Sequence, residues 1–410
     1  MVSPSDIRMA KERINGRVIR TPLVYSPTFS EKTGCEVYLK LETMQKAGSF
    51  KVRGATNKIL SEGNSIRPAG VIAASAGNHA QGVAVAARTA GVPATIIMPE
   101  WVSLSKQEAS VGYGARIILK GNSLEESIAY AIAMAGDEDM TFIHPYDDDA
   151  VIAGQGTIGL EIMEDCPDVD MIVVPVGGGG LIAGIAVAVH SIRPDVRITG
   201  VQAAACPSAP AARREGRPVT VEARPTIADG IRVKRTGLHA FPIIEGDVKD
   251  LVLVDEDEMV SAVLQLLERK KVLAEGAGVA GLAALLSGKT GASRGSRVVV
   301  VISGGNVDTF LLERILRQGL FDSSRMMQFS VYLEDTPRSL PEFIGTVTEE
   351  DAVITSIDQA RSGPGIPLHL MQVTIEVEIR GPSHQAALLL ALREAGYTIA
   401  HGSGSPAGRS

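Results

Sequence analysis

Met171-Ile172-Val173-Val174-Pro175-Val176-Gly177-Gly178-Gly179-Gly180-Leu181-Ile182-Ala183-Gly184-Ile185-Ala186-Val187-Ala188-Val189 is the stretch that decides the architecture. Its first part, Met171 to Val176, is a short apolar, β-branched run that reads as a buried strand, and the part from Leu181 to Val189 reads as a buried helix. A strand that passes through glycines into a helix is anion-binding geometry. The helix N-terminus carries roughly half a positive charge and unpaired N–H groups, and glycines let an anion approach the backbone closely. No lysine or arginine lies between Gly177 and His190, so backbone dipoles must do most of the neutralising. The lack of a Gly-Lys-Ser/Thr ending excludes a P-loop. Gly178-x-Gly180-x-x-Ala183 fits the loose dinucleotide pattern, but the next strand, Arg197-Ile198-Thr199-Gly200-Val201-Gln202, ends in Gln202 where a ribose-binding acid is expected.

Far upstream, Gly48-Ser49-Phe50-Lys51-Val52-Arg53-Gly54-Ala55 sets one lysine between an aromatic and small residues. A single lysine is ordinarily a solvated surface residue. With a reference pKa near ~10.4 it is protonated and a poor nucleophile at neutral pH, so a reactive one needs a site that lowers that pKa or holds it as an imine. A nucleophilic amine and a phosphate cradle in one chain suggest pyridoxal 5'-phosphate. The aldehyde of that cofactor takes a lysine as a Schiff base, and its phosphate takes converging N–H groups. A nicotinamide cofactor ranks well below it.

Strand-like runs alternate with helical ones at residues 70–74, 94–98, 115–119, 171–176, 197–202 and 297–302, an α/β pattern with buried, largely parallel sheets. Ligand loops then belong at the carboxyl ends of strands. Three loops sit there: Ser75 to Asn78, Gly177 to Gly180 and Ser303 to Asn306. After about residue 320 the pattern changes. Met327 to Glu334 and Met371 to Arg380 alternate apolar with polar residues, as half-exposed antiparallel strands do. Leu340, Phe343, Ile344 and Val347 have helical spacing, Val353 to Ile357 can form another strand, and a helix from about Ser383 to Ala395 stops at Gly396. With a short last strand near Thr398 to Ala400, the order βαββα predicts a ferredoxin-like α+β unit.

Lys51 in its context, Ser75-Ala76-Gly77-Asn78-His79-Ala80-Gln81-Gly82, Pro175 to Leu181, Thr226-Ile227-Ala228-Asp229-Gly230, Glu275-Gly276-Ala277-Gly278 and Ser303-Gly304-Gly305-Asn306 follow one another in the order seen in threonine dehydratases. From about residue 15 to about residue 320 the chain resembles that family, also called threonine ammonia-lyase, of the tryptophan-synthase-β-like fold (fold type II) of pyridoxal phosphate enzymes. The C-terminal part resembles an ACT domain, a small-molecule regulatory module. The resemblance implies a catalytic domain over 1–320, with a smaller subdomain at roughly 50–150 inserted in the larger. It also implies an ACT-like regulatory or assembly domain over 326–401 and a flexible tail over 402–410.

The resemblance further implies roles. Lys51 holds the cofactor as a Schiff base and, once threonine displaces it, removes the α-proton; Phe50 lies against the cofactor ring. Ser75, Ala76, Gly77, Asn78 and His79 bind the substrate carboxylate, and Asn78 also bonds the ring hydroxyl. His79 also suits a structural, hydrogen-bonded histidine. Gly177, Gly178, Gly179, Gly180 and Leu181 take the phosphate. Ser303 meets the pyridine nitrogen, where a neutral hydroxyl favours β-elimination over transamination. The products are then 2-oxobutanoate from threonine, or pyruvate from serine, and ammonia. A serine racemase shares this fold but needs a second acid/base on the opposite cofactor face, at a position held here by Ala76. A hydroxyaspartate ammonia-lyase, a β-replacement enzyme and an inactive amino-acid sensor remain as alternatives. ACT effector loops usually carry a glycine where this chain has Arg338, so isoleucine feedback is expected to be weak or absent.

Composition sets outer bounds. A net charge of −7, with no basic run longer than Arg269-Lys270-Lys271, argues against a nucleic-acid surface. Cys35, Cys166 and Cys206 show neither metal-ligand nor Cys-x-x-Cys spacing, so reduced thiols are expected. Asp147, Asp148 and Asp149 read as a solvated turn or helix start, and no metal is assigned to them. The N-terminus has no apolar h-region and no run has transmembrane length, so a cytoplasmic enzyme is expected, without a membrane partner. The family resemblance implies a homodimer or homotetramer.

Overall fold

The computed structural model describes residues 1–402, so the tail expected beyond Gly402 lies outside the described residues. The chain divides into two compact units, Met1–Leu312 and Glu313–Ser410.

The first unit holds two sheets. The larger runs in the order β1 (Leu23–Tyr25), β2 (Glu36–Leu41), β10 (Arg297–Ile302), β7 (Met171–Pro175), β8 (Arg197–Ala203) and β9 (Asp250–Val254). All its pairings are parallel except β1 with β2. Strand β10 is the centre: it pairs Val299 with Tyr38 of β2 on one side and with Ile172 of β7 on the other. A strand buried on both faces can be apolar at every position, and β7 is buried throughout. Helices Asp149–Asp165 and Gly180–His190 cross tightly beside it. A Cβ on Gly156 would lie 2.7 Å from the Gly184 carbonyl oxygen, so only glycine permits that approach.

One strand has no apolar signature. Strand β2 carries Lys40, and the side chain is fully buried because its Nζ donates to Glu161 and to the Thr21 carbonyl, each at 2.6 Å. Glu161 also accepts from the buried Arg53, which pairs with Glu42, giving two cations and two carboxylates in one dry cluster.

The smaller sheet, in the order β5 (Arg116–Leu119), β4 (Ala94–Met98), β3 (Val71–Ala74), β6 (Thr141–Phe142), is wholly parallel. Apolar clusters cover both of its faces, with Ala73, Val83 and Ile96 on one and Ile72, Ile97 and Ala131 on the other.

The second unit is an antiparallel sheet, β12 (Val353–Ala360), β13 (Leu370–Glu378), β11 (Met326–Glu334), β14 (Ile399–Gly402), with helices Ser339–Glu349 and Pro382–Glu394. Its alternation buries Met371, Val373, Ile375 and Val377 with Phe329, Phe343 and Leu388. Glu376 departs from the pattern: it falls on the polar phase yet is buried, because Arg317 and Thr355 bond its carboxylate. The whole is α/β with a small ferredoxin-like α+β unit. Among the described residues no helix is long and apolar enough to cross a membrane.

Candidate active site

The loop that follows β10 is stitched to the segment before Lys51. Phe50 donates its N–H to the Ser303 carbonyl at 3.1 Å, Ser49 forms a β-bridge with Gly304, and Gly305 donates to the Gly48 carbonyl at 2.9 Å. Lys51 opens the helix Lys51–Glu62 and its Nζ donates to the Pro145 carbonyl at 2.8 Å, 5.2 Å from the centre of the Phe50 ring. Burial lowers the amine to about 8, against the opposing pull of the Glu275 charge. A lysine so depressed has a useful neutral fraction near neutral pH.

The glycine loop lies one residue away from that carbonyl. Tyr146, next after Pro145, covers it: a Cβ on Gly178 would strike the tyrosine ring, and one on Gly180 would lie 2.6 Å from the Tyr146 carbonyl oxygen. Gly179 caps the helix Gly180–His190 at φ +96°, a left-handed conformation that excludes ordinary side chains. The loop's carbonyls are tied back, Gly178 to the Gly237 N–H at 2.9 Å and Gly177 to the Gln202 amide at 3.4 Å. Gln202 thus braces the loop from the end of β8. The N–H groups of Gly178, Gly179, Gly180 and Leu181 have no acceptor among the described residues, as the start of a helix leaves them.

Opposite stands the start of the helix Asn78–Ala90. Ser75 is buried and its Oγ accepts from Gly77 N–H at 3.1 Å, which shapes the turn; Ala76 offers only a methyl group. Asn78 Nδ2 donates to Glu275 at 2.5 Å, and Asn78 Oδ1 accepts from Asn306 Nδ2 at 2.7 Å. Glu275 is buried, which pushes its carboxyl up to about 7, helped by the nearby Asp229 charge. His79 is also buried, bonded through Nε2 to the Ile143 carbonyl at 2.9 Å, and desolvation takes it down to about 3. The imidazole is thus neutral and engaged with a strand-end carbonyl.

Ser303 is buried beside Phe50, and Gly304 packs against Glu275, Ser49 and Asn78. Phe50 and Ser303 are joined directly, Asn78 meets the loop after β10 through Gly304 and Asn306, and Lys51 and Gly178 both lie against the Pro145–Tyr146 segment, which brings these predicted residues together in one region. Sequence reading left Glu275, Asn306 and Tyr146 without roles, although the first two stand in motifs it quoted. Asp148 caps the helix Asp149–Asp165, as a helix-start reading of the aspartates requires, and Asp147 accepts from the N–H groups of Leu238 and His239. Trp101 is exposed, with its indole N–H on the Asn122 carbonyl at 3.1 Å.

A reactive lysine facing a glycine-capped helix defines the class, and residues 14–304 match the family described as pyridoxal-phosphate dependent enzyme. The chain belongs to that family, with the fold type II core. An L-threonine ammonia-lyase of Thermotoga maritima is 45% identical over 399 residues, which cover 97% of this chain and 99% of that protein. Among solved structures, maize serine racemase has a TM-score of 0.73 at 35% identity, covering 78% of this chain and 98% of that one. The processed form of threonine deaminase isoform 2 from Solanum lycopersicum has a TM-score of 0.72 at 32% identity, covering 76% of this chain and 91% of that one.

The residues present fit pyridoxal 5'-phosphate. The glycine loop offers a row of N–H donors at a helix start. Two buried hydroxyls without partners among the described residues flank that region: Ser49 beside Gly304, and Thr236, whose methyl would lie 3.6 Å from a Cβ on Gly179. Lys51 supplies the amine.

Proposed function

We propose that the chain is a threonine ammonia-lyase, converting L-threonine to 2-oxobutanoate and ammonia and L-serine to pyruvate and ammonia. The observation that carries this reading is the near full-length likeness to an L-threonine ammonia-lyase, joined to the buried Lys51 amine held at about 8. When bound, the cofactor supplies an electron-accepting ring that stabilises negative charge on the substrate's α-carbon. Lys51 Nζ anchors the cofactor and then takes the α-proton, for which a pKa near the working pH is the efficient value. Phe50 lies against the ring. The N–H groups of Gly178 to Leu181 hold the phosphate, with Gly177 setting the turn. The N-terminus of helix Asn78–Ala90 and the turn Ser75 to Asn78 hold the substrate carboxylate, with His79 as a neutral prop. The Ser303 hydroxyl would hold the ring nitrogen without a carboxylate's charge, which would favour loss of the β-hydroxyl.

A serine racemase is the second reading, favoured by the maize structure. Against it stands Ala76, which carries no proton-transferring group where a second base would act. The initial rate of 2-oxo acid release from L-threonine by cofactor-loaded protein tests the proposal, with L-serine and 3-hydroxyaspartate run alongside and the chirality of remaining serine followed. Rapid 2-oxobutanoate release supports it; D-serine without oxo acid would replace it with racemisation.

The finer reading of the second unit is an ACT-like domain, supported by its βαββαβ order. Arg338 at the start of the helix Ser339–Glu349 is exposed, so an effector's backbone would meet an arginine side chain there. Isoleucine should shift the threonine saturation curve little or not at all. A cytoplasmic homodimer or homotetramer completes the proposal.

A further inference from the structure

Asn78 carries an amide with two distinct faces, and which one it shows to the site is a matter of hydrogen-bond logic. The chain of bonds begins at the Ala47 carbonyl, which can only accept. The Asn306 atom 2.8 Å from it must therefore be Nδ2, a donor. The second N–H of the same nitrogen reaches Asn78 at 2.7 Å, so the Asn78 atom there must be Oδ1, an acceptor. Gln81 Oε1, at 3.3 Å, is a weaker third neighbour of that nitrogen. With Oδ1 fixed on the Asn306 side, Asn78 Nδ2 is turned to Glu275 Oε1 at 2.5 Å and gives it one hydrogen. One N–H of Asn78 is left, and it is the amide's one donor without an acceptor among the described residues.

The backbone has been shaped around this arrangement. Gly48 has φ +66°, and a Cβ there would run into the Asn306 side-chain oxygen, so the turn before Lys51 is kept bare to admit the amide. Asn306 thereby joins the turn that precedes Lys51, the start of helix Asn78–Ala90 and the loop after β10.

We propose that Asn306 is a positioning residue: by donating to Asn78 Oδ1 it sets the amide so that Asn78 presents a hydrogen-bond donor to the cofactor. Glu275 takes the other end of the chain and reinforces the same orientation. A donor suits the negatively charged ring oxygen of a phenolate-like cofactor; an acceptor there would repel it. This inference rests on the reading that Asn78 lies against the cofactor.

The test is a double-mutant cycle in the full-length protein, reading the dissociation constant of pyridoxal phosphate by fluorescence together with the pH titration of the bound cofactor's visible absorption. In the Asn78 background, Asn306→Ala should weaken cofactor binding by about 10-fold and move the absorption titration, the scale expected for a charge-assisted hydrogen bond. In the Asn78→Ala background the same substitution should change binding by less than about 2-fold, since there is no amide left to orient. Equal losses in both backgrounds would overturn the proposal, because Asn306 would then act on its own or only on the fold. Should Asn306→Ala fail to fold, Asn306→Ser keeps a small donor and enters the same cycle. Asn306→Asp replaces the donors by acceptors and should be worse than Ala on cofactor binding; a milder effect than Ala would also count against the idea. If the wild-type protein bound no pyridoxal phosphate at all, the functional reading itself would fall, which is a different result from additivity in the cycle.

Discussion

Arg53 and Glu42 meet with neither side chain exposed: the guanidinium Nε and Nη2 each donate to one carboxylate oxygen, at 2.9 and 2.8 Å. The same guanidinium reaches Glu161 from its other edge at 2.6 Å, and it lies two residues beyond Lys51 on one helix. Bidentate geometry of this kind belongs to arginine alone. Replacing Arg53 with Met leaves Glu161 with Lys40 alone and Glu42 with the Thr21 hydroxyl but no cation, and is expected to cost about 3–5 kcal/mol. Arg53→Lys should lose most of that too, since an ammonium cannot span both acids. Urea unfolding of the three proteins is the check, and equal midpoints for wild type and Arg53→Lys would show that the fork geometry is not what matters.

Lys51→Ala should remove both the visible absorption of lysine-bound cofactor and turnover of L-threonine. The cofactor would still bind through its phosphate, weakly. Wild-type 2-oxobutanoate release by this variant would contradict the assignment of the amine.

Gly179→Ala forces a methyl into a left-handed residue at φ +96°, 2.6 Å from Ile244 Cδ1 and 3.0 Å from Ala240 Cβ. Strain and overlap together should destabilise the unit by about 1–3 kcal/mol. Gly178→Ala instead pushes on the Tyr146 ring. Its main effect should be on cofactor affinity, a loss of roughly 10-fold or more, because the loop would have to retreat from the phosphate. Calorimetric melting and cofactor titration separate the two, and a reversal of the pattern would place the anion elsewhere.

Cofactor-free protein should have an unusual pH profile. Glu275 is held at about 7 in the folded chain against an ordinary 4.5, so between those values the fold keeps a proton that the unfolded chain has released. Through Glu275 stability therefore falls as pH rises from about 4.5 to about 7, while His79, held neutral at about 3 against an ordinary 6.5, acts in the opposite sense, so the two largely offset below about pH 6.5. Lys51, at about 8 against an ordinary 10.5, works the other way: between those values the unfolded chain holds the extra proton, and stability rises with pH. Glu275→Gln should remove that offset, so that stability rises more steeply toward pH 6.5, and should leave the upper limb unchanged. Melting temperature measured across pH 4 to 10.5 reads both limbs, and an unchanged lower limb in Glu275→Gln would assign the offset to another group.

The sequence displayed the strands that are apolar throughout, because burial on both faces of a parallel sheet leaves nothing to alternate: 171–176 and 297–302 could be read directly. It hid Glu36–Leu41, where Lys40 breaks the apolar run and is neutralised by a residue more than a hundred positions away. The site shows the same division. Lys51 and the four glycines could be picked out only together, since a single lysine is ordinarily a surface residue but a lysine and a bare helix start in motifs of the right order point to one chemistry. Glu275 and Asn306 could not be, because an acid at about 7 and an oriented amide are products of the loops that converge on them. His79 lay between these cases. Its neighbours in sequence suggested a ligand-binding loop, while its actual partner, the Ile143 carbonyl, belongs to a distant strand end.

Strand β10 is the last of its sheet to leave the ribosome, and it fills the middle. Until residues 297–302 exist, β2 and β7 have no common neighbour, and each presents an open edge to solvent and to other chains. A nascent or truncated chain ending before Arg297 would hold two half-sheets joined only by covalent linkage, a form prone to aggregation and dependent on chaperones. The long sequence separation between β2 and β10 also makes closure slow. Because Ser303 to Asn306 follow directly from β10 and lock the turn before Lys51, capture of the cofactor becomes possible only after that insertion. The colour of the bound cofactor is thus a reporter of completed synthesis and folding of the whole first unit.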